Sequence, residues 1–194
     1  MRAVQIKIFL PEFIYRFGVW LLLAYRRLRY GYPYRRIPLT QGKFAIVDPQ
    51  DYDQLARYKW FAMQSRRGFY AIRMVTASDG SRKKVRMHRQ ILNVPAGKFI
   101  DHINHNGLDN RKANLRIVTN LQNSWNKRKQ KGSYSSQYKG VSWSKRAGKW
   151  HTEIYCRGTK IFIGYFDDEK AAAKAYDIAA QKYHNEFACL NFNK

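Results

Sequence analysis

The spacing of apolar and polar positions changes character along the chain, and each change predicts a different element. Residues 8–25, IFLPEFIYRFGVWLLLAY, form the most apolar stretch. Glu12 and Arg16 interrupt it, so the unbroken part, Phe17–Tyr25, has nine residues. A membrane-spanning helix needs about 20. No small-residue cleavage site precedes Arg26-Arg27, which argues against a signal peptide. The pattern suits an extra helix on the main domain, a helix lying on a membrane surface, or sequence upstream of the true start. Residues 1–36 are expected to form an appendage outside the functional core. From Ile37 to about Val94 the pattern turns to short β-rich runs. Lys43–Val47 is one such run, broken by Asp48-Pro49, and Asp51–Tyr58 predicts one or two helical turns. Gly68–Ala77 and Arg82–Met87 flank the turn Ser78-Asp79-Gly80-Ser81, which predicts a hairpin.

The next pattern, Phe99–Asn123, is FIDHINHNGLDNRKANLRIVTNLQN. A short apolar strand ends at Asp101-His102, and a loop rich in Asn, Gly and Asp follows. A second strand, Leu115–Val118, leads to a helix capped by Thr119 that carries Asn123. Residues 126–133 contain no apolar side chain and end in turn formers, which marks a linker or a frayed helix end. Beyond it, Lys139–Trp143, Lys149–Tyr155 and Thr159–Phe166 read as strands joined at Arg146-Ala147-Gly148 and Arg157-Gly158. Asp168–Asn185 reads as a helix, with Asp167 or Asp168 as its cap and a stripe of small residues at Ala172, Ala175 and Ala179. The predicted class is α+β.

Charge adds a partner to this outline. The 194 residues include 37 Lys+Arg against 13 Asp+Glu, a net charge of +24 that is spread along the chain and not gathered in a tail. Such a surface suits a polyanion. Apolar residues at 45% are enough for a packed core and exclude wholesale disorder. Two cysteines, Cys156 and Cys189, exclude a disulfide scaffold and a four-cysteine zinc site. Arg86 and Arg89 beside the hairpin, Lys127 and Arg128 in the basic joint, and Lys145 and Arg146 in a later turn are expected to contact phosphate. His88 and His105 are given the same minor role.

The polar segment carries the chemistry. Two strands followed by a helix can converge Asp101, His102 and Asn123 on one point. A carboxylate and an amide oxygen suit a hard cation, Mg²⁺ or Mn²⁺, and no zinc is expected. The neighbouring imidazole can take a proton from a water attacking phosphorus.

The string Asp101-His102-Ile103-Asn104, Leu108-Asp109-Asn110-Arg111, Asn114-Leu115-Arg116 and Gln122-Asn123 resembles the HNH endonucleases, in their homing-type group. The resemblance implies a ββα-metal nuclease domain with His102 as general base. It also implies Asp101 and Asn123 as metal ligands and Asn114 as the residue that braces the loop and orients the histidine. Further on, Tyr138-Lys139-Gly140-Val141, Gly148-Lys149-Trp150, Glu153-Ile154, Ile163-Gly164-Tyr165-Phe166 and Leu190-Asn191-Phe192 resemble the Apetala-type (ethylene-response-factor) DNA-binding domain. That family sets a three-stranded sheet, backed by one helix, into the major groove. Lys139, Glu153 and Lys160 fall on its contact positions, and alternation puts His151, Glu153, Tyr155 and Arg157 on one face. Ser142, Ser144, Tyr155 and Phe162 stand where plant members carry Arg or Trp, so the plant target does not carry over.

The sequence therefore predicts an N-terminal extension (1–36), a nuclease domain with a small β-rich region before its motif (37–126), a basic linker (127–137) and a DNA-binding domain (138–194). The expected activity is metal-dependent DNA phosphodiester hydrolysis, nicking by default, in the cytoplasm of a bacterial or phage-infected cell. Double-stranded DNA is the expected partner, with no small-molecule substrate, no membrane partner and a monomer by default. The rival is a non-enzymatic sequence-specific DNA-binding protein with an inactive nuclease domain. The basic joint also predicts that a chain ending near Gly132 keeps its chemistry but loses target discrimination.

Overall fold

Alternating apolar positions on short strands build the first of two compact units, which runs to Val94 and also takes in Asn104–Leu115. The structure is a computed structural model that describes residues 11–66, 68–95, 97–130 and 132–192. Strands β1 (Arg35–Pro38) and β2 (Phe44–Val47) pair antiparallel, with Ile37 opposite Ala45. Their two-residue period turns Ile37, Ala45 and Val47 inward onto Leu55, Trp60, Ala71 and Met87. Leu55 comes from α2 (Pro49–Ala56), whose proline sits at the start, where a missing N–H costs nothing. The buried indole of Trp60 donates to Leu55 O at 2.8 Å, so its polar atom is satisfied. Strands β3 (Phe61–Ser65), β4 (Gly68–Thr76) and β5 (Arg82–Arg86) form an antiparallel sheet in that order, followed by α3 (Met87–Leu92).

The β4–β5 hairpin lies where the turn signal predicts it, and α2 covers the expected helical turns. Strands β1 and β3 are additions that hydropathy did not disclose. Strand β1 starts at Arg35, so it runs across the composition change at Ile37; cross-strand pairing with β2, not side-chain character, makes Arg35 and Arg36 extended. Helix α1 (Glu12–Tyr30) belongs to the same unit and buries none of its residues. It stops at Gly31, whose φ of 80° supplies the left-handed cap and whose N–H returns to Arg27 O. Among the described residues no helix is long and apolar enough to cross a membrane.

The second unit comprises Pro95–Ile103 and the chain from Arg116 onward. Strands β6 (Phe99–His102) and β7 (Leu115–Val118) form a two-stranded sheet. Helix α4 (Asn120–Trp125) opens on a capping box, in which Thr119 and Gln122 satisfy each other's backbone N–H groups. A three-stranded sheet follows, ordered β10 (Thr159–Phe166), β9 (Lys149–Cys156), β8 (Val141–Ser144). Helix α5 (Glu169–His184), capped by Asp168 on Ala171 N, covers one face of it. Ala172, Ala173 and Ala180 are fully buried there, and the small side chains bring helix and sheet close. Gly140 is required at the same contact: its φ is +76°, and a Cβ would collide with the Tyr176 ring. Asp177 Oδ1 and Oδ2 accept from Asn191 N and Phe192 N, while Asn191 pairs with the Lys139 backbone through both ends of its amide. These bonds close the module on itself.

Compactness cuts the chain elsewhere than composition does, because it groups β6 and α4 with the three-stranded sheet. Arg157 also departs from its expected place on the β9 face. With Gly158 it forms the two-residue turn, φ +48° and +86°, that joins β9 to β10.

Candidate active site

Strand β6 delivers Asp101 and His102 to its end, both buried. A buried carboxylate needs partners. Asp101 Oδ2 accepts from Arg116 Nε at 3.0 Å and Nη2 at 2.8 Å, and from Asn126 Nδ2 at 2.8 Å. These are charge-assisted bonds in a fork that fixes the plane of the carboxylate. Asp101 Oδ1 takes no hydrogen bond from any described residue. Asn126 Nδ2 also reaches His102 O at 3.3 Å, so one amide pins two consecutive residues. The same Arg116 donates through Nη1 to Glu186 O at 2.6 Å and lies 4.5 Å over the Phe187 ring.

Helix α4 packs on β6 and carries Asn123, half-buried, with its backbone N–H bonded to Thr119 O at 3.0 Å. Its side-chain amide is engaged by no described residue. The available donors are thus one carboxylate oxygen and one amide oxygen on packed elements. Both are hard ligands that suit Mg²⁺ or Mn²⁺ with waters completing the shell. Among the described residues no group of three His, Cys, Asp or Glu side chains is gathered for a metal.

Asn104–Leu115, in the first unit, forms a loop held on its own frame. Asn114 is buried and closes it: its Oδ1 accepts from Asn104 N at 3.0 Å, and its Nδ2 donates to Asp109 O at 2.8 Å. Asp109 takes both prongs of Arg111, at 2.8 and 2.6 Å, and the Asn104 amide at 2.8 Å. The Arg111 guanidinium also lies 3.5 Å over the Tyr32 ring. Its hydrogen bonds to Asp109 raise the Arg111 pKa above the ordinary arginine value. Strand β2 anchors the loop, since Ile46 N donates to Leu108 O at 2.8 Å and Asn110 N to Ile46 O at 2.7 Å. Gly107 has no room for a side chain: a Cβ would lie 2.5 Å from Phe69 O and 2.7 Å from the Tyr70 ring.

Arg116 and Asn126 are the site residues that sequence reading missed. Asn126 follows Asn123 by three residues, one helical turn on, and a repeated Asn at that spacing is a weak signal. Arg116 lies within the motif, but its role depends on a carboxylate in another strand, which the linear pattern does not show.

Among the expected DNA contacts, Arg86, Arg128, Lys145, Arg146, Tyr155, Arg157 and Lys160 are exposed. Lys127 is half-buried, as is Arg89, whose Nη2 reaches Val94 O at 3.4 Å. Lys139 turns inward: its ammonium donates to Trp125 O at 2.6 Å, and burial holds its pKa below the ordinary lysine value. Glu153 and Lys160 pair with each other at 2.9 Å across β9 and β10. His88 is buried edge-on to the Tyr70 ring, which removes it from the phosphate contacts expected of it. His105 is half-buried in the loop with φ +62°.

Comparison with known proteins bears on this arrangement. A family model described as HNH endonuclease matches residues 93–125. An uncharacterised HNH endonuclease of Acanthamoeba polyphaga mimivirus is 31% identical over 157 residues, covering 78% of this chain and 76% of that protein. Protein 3.8 of Escherichia phage T7 is 37% identical over 95 residues, 49% of this chain and 77% of that protein. APETALA2-like protein 2 of Oryza sativa subsp. indica is 46% identical over 61 residues, 31% of this chain and 14% of that protein.

Proposed function

Since the chain belongs to the HNH endonuclease family, we propose that this nuclease hydrolyses DNA phosphodiesters with His102 as general base and a divalent metal held by Asp101 and Asn123. The observation that carries the reading is the state of Asp101. Arg116 and Asn126 saturate one oxygen and leave the other uncommitted. The uncommitted oxygen reaches solvent, where a cation can approach it.

Fixing Oδ2 sets the direction of Oδ1 and spares the entropy of ordering it later. His102, the next residue, accepts the proton of the water that attacks phosphorus. Asn126 holds the carbonyl of that histidine and so restrains its backbone. Asn114 keeps the following loop closed, as the bracing residue of the motif would. When bound, Mg²⁺ or Mn²⁺ supplies positive charge for the phosphate and the leaving 3′ oxygen. The strand–strand–helix order of β6, β7 and α4 supports the ββα-metal arrangement. The short match to the rice protein supports an Apetala-type module over residues 138–192, with its sheet on duplex DNA and basic residues on phosphate.

One site cuts one strand, so a monomer nicks. The phage and viral relatives favour a homing-type enzyme working in the cytoplasm of an infected cell. The test is conversion of supercoiled plasmid by the full chain. With Mg²⁺ or Mn²⁺ the open circle appears first and linear DNA later. EDTA abolishes both. Cleavage that persists in EDTA contradicts metal dependence, and simultaneous appearance of linear DNA contradicts nicking.

A further inference from the structure

The face of the three-stranded sheet that α5 leaves open carries an aromatic cluster for which the fold has no use. Phe162 is 56% exposed, Tyr165 49% and Tyr155 52%. The Phe162 and His151 rings lie 5.3 Å apart at 25°, and Tyr165 lies 5.1 Å from Phe162 and 5.6 Å from His151. Strict alternation would put residues 162 and 165 on opposite faces. An irregularity between Phe162 and Gly164 shifts the register, so that Phe162 stands opposite Glu153 and Tyr165 opposite His151. The strand thus breaks its ladder and gathers rings on the outer face. The same shift turns Phe166 inward beside Trp150 onto Val141, Ala172 and Ala173, so the core takes that ring while Phe162 and Tyr165 stay on the outer face.

The charges around the cluster identify its occupant. Lys145 and Arg146 stand exposed at the β8–β9 turn, and Arg157 at the β9–β10 turn, so cations mark both ends of the sheet while its middle is aromatic. Two phosphate backbones flanking a groove match that layout; a second copy of a chain with net charge +24 does not. Stacking on single-stranded bases needs open ring faces, and Phe162 and His151 cover one face of each other. Guanine is read by Arg or Lys reaching O6 and N7 together. The outward strand positions of this face include no arginine, and its lysines are paired, Lys160 with Glu153 at 2.9 Å and Lys149 with Asp167 at 3.1 Å. Apolar rings at base edges have a different complement, the 5-methyl group of thymine.

We propose that the Phe162–Tyr165–His151 cluster reads thymine methyl groups in the major groove, so that the duplex this nuclease selects has A·T pairs beneath the centre of the sheet. The proposal rests on the reading of the chain as a DNA endonuclease and names the substrate feature it prefers.

The test deletes the methyl group from the DNA, so protein folding does not enter. Full-length protein selects binders from a random duplex library, and thymines of the enriched site are replaced one at a time by deoxyuridine. Each contacted thymine should lower affinity about three- to fourfold when its buried methyl is removed. Phe162→Ala should erase that sensitivity, and Phe162→Tyr should keep it. An enriched core of G·C pairs, indifference to deoxyuridine, no sequence preference, or tighter binding to the single strand would each overturn the proposal. Failure to bind or cut any DNA would instead overturn the nuclease reading on which it rests.

Discussion

Arg116 shares one guanidinium between the Asp101 carboxylate and the Glu186 carbonyl, with its side chain 14% exposed and that of Asp101 10%. Arg116→Met leaves a buried charge with the Asn126 amide as its remaining donor. Breaking such a pair from one side costs about 3–5 kcal/mol, and urea unfolding should show a loss in that range. Arg116→Lys keeps the charge but not the fork, and should fall between Met and wild type. Equal stability of all three would show that the pair contributes nothing. Asn114→Ala strands the N–H of Asn104 and the carbonyl of Asp109, which costs about 1–3 kcal/mol per unsatisfied group. Thermal unfolding measures it, and an unchanged midpoint would count against Asn114 as the loop's brace. Asp101, His102, Asn114 and Asn123 can be proposed from sequence because their spacing is local to one motif. Arg116 and Asn126 cannot, because their meaning lies in a partner that only the folded chain brings near.

At the scale of elements, the turn-defined and capped pieces were legible and the pairing-defined ones were not. The β4–β5 hairpin announces itself by Ser78-Asp79-Gly80-Ser81, and α5 by Asp168 and its alanines. Strand β1 has only Ile37 as a buried strand residue and exists through its ladder with β2. Helix α4 ends on a contact that pH should expose. The Trp125 ring stacks on His184 at 4.6 Å and 12°, and His184 Nε2 is bonded to Tyr155 O at 2.9 Å. Burial, as the main cause, lowers the imidazole pKa below its ordinary 6.5, the Tyr155 bond opposing the shift. The unfolded chain therefore binds this proton more readily than the folded one. Stability from His184 is full above 6.5 and is lost as pH falls through that value toward the lower folded pKa. The difference in melting temperature between wild type and His184→Phe should thus shift against wild type from pH 7.5 to 5.5. A difference constant over that range would contradict the assignment.

For the whole molecule, family resemblance implies a nuclease and a DNA-binding module, and composition puts a basic tether between them. The folded chain ties the candidate site to the C-terminal module more closely. Arg116 leans on Glu186 and Phe187, Trp125 on His184, and Lys139 on the end of α4, all within one compact unit. Ending the chain near Gly132 removes all those partners. We therefore expect such a truncation to weaken cleavage together with discrimination, where the sequence alone predicted that chemistry would survive. Its salt dependence should also flatten, by roughly 0.9 in log–log slope for each phosphate that the shortened chain no longer neutralises. Wild-type cleavage by the truncated chain would show that these partners do not support the site. The most direct measurement is the single-turnover rate of DNA cleavage by His102→Ala at saturating Mg²⁺, with duplex affinity measured on the same sample. The rate should be about 10²–10⁴ lower, with affinity little changed. A wild-type rate would contradict His102 as the base.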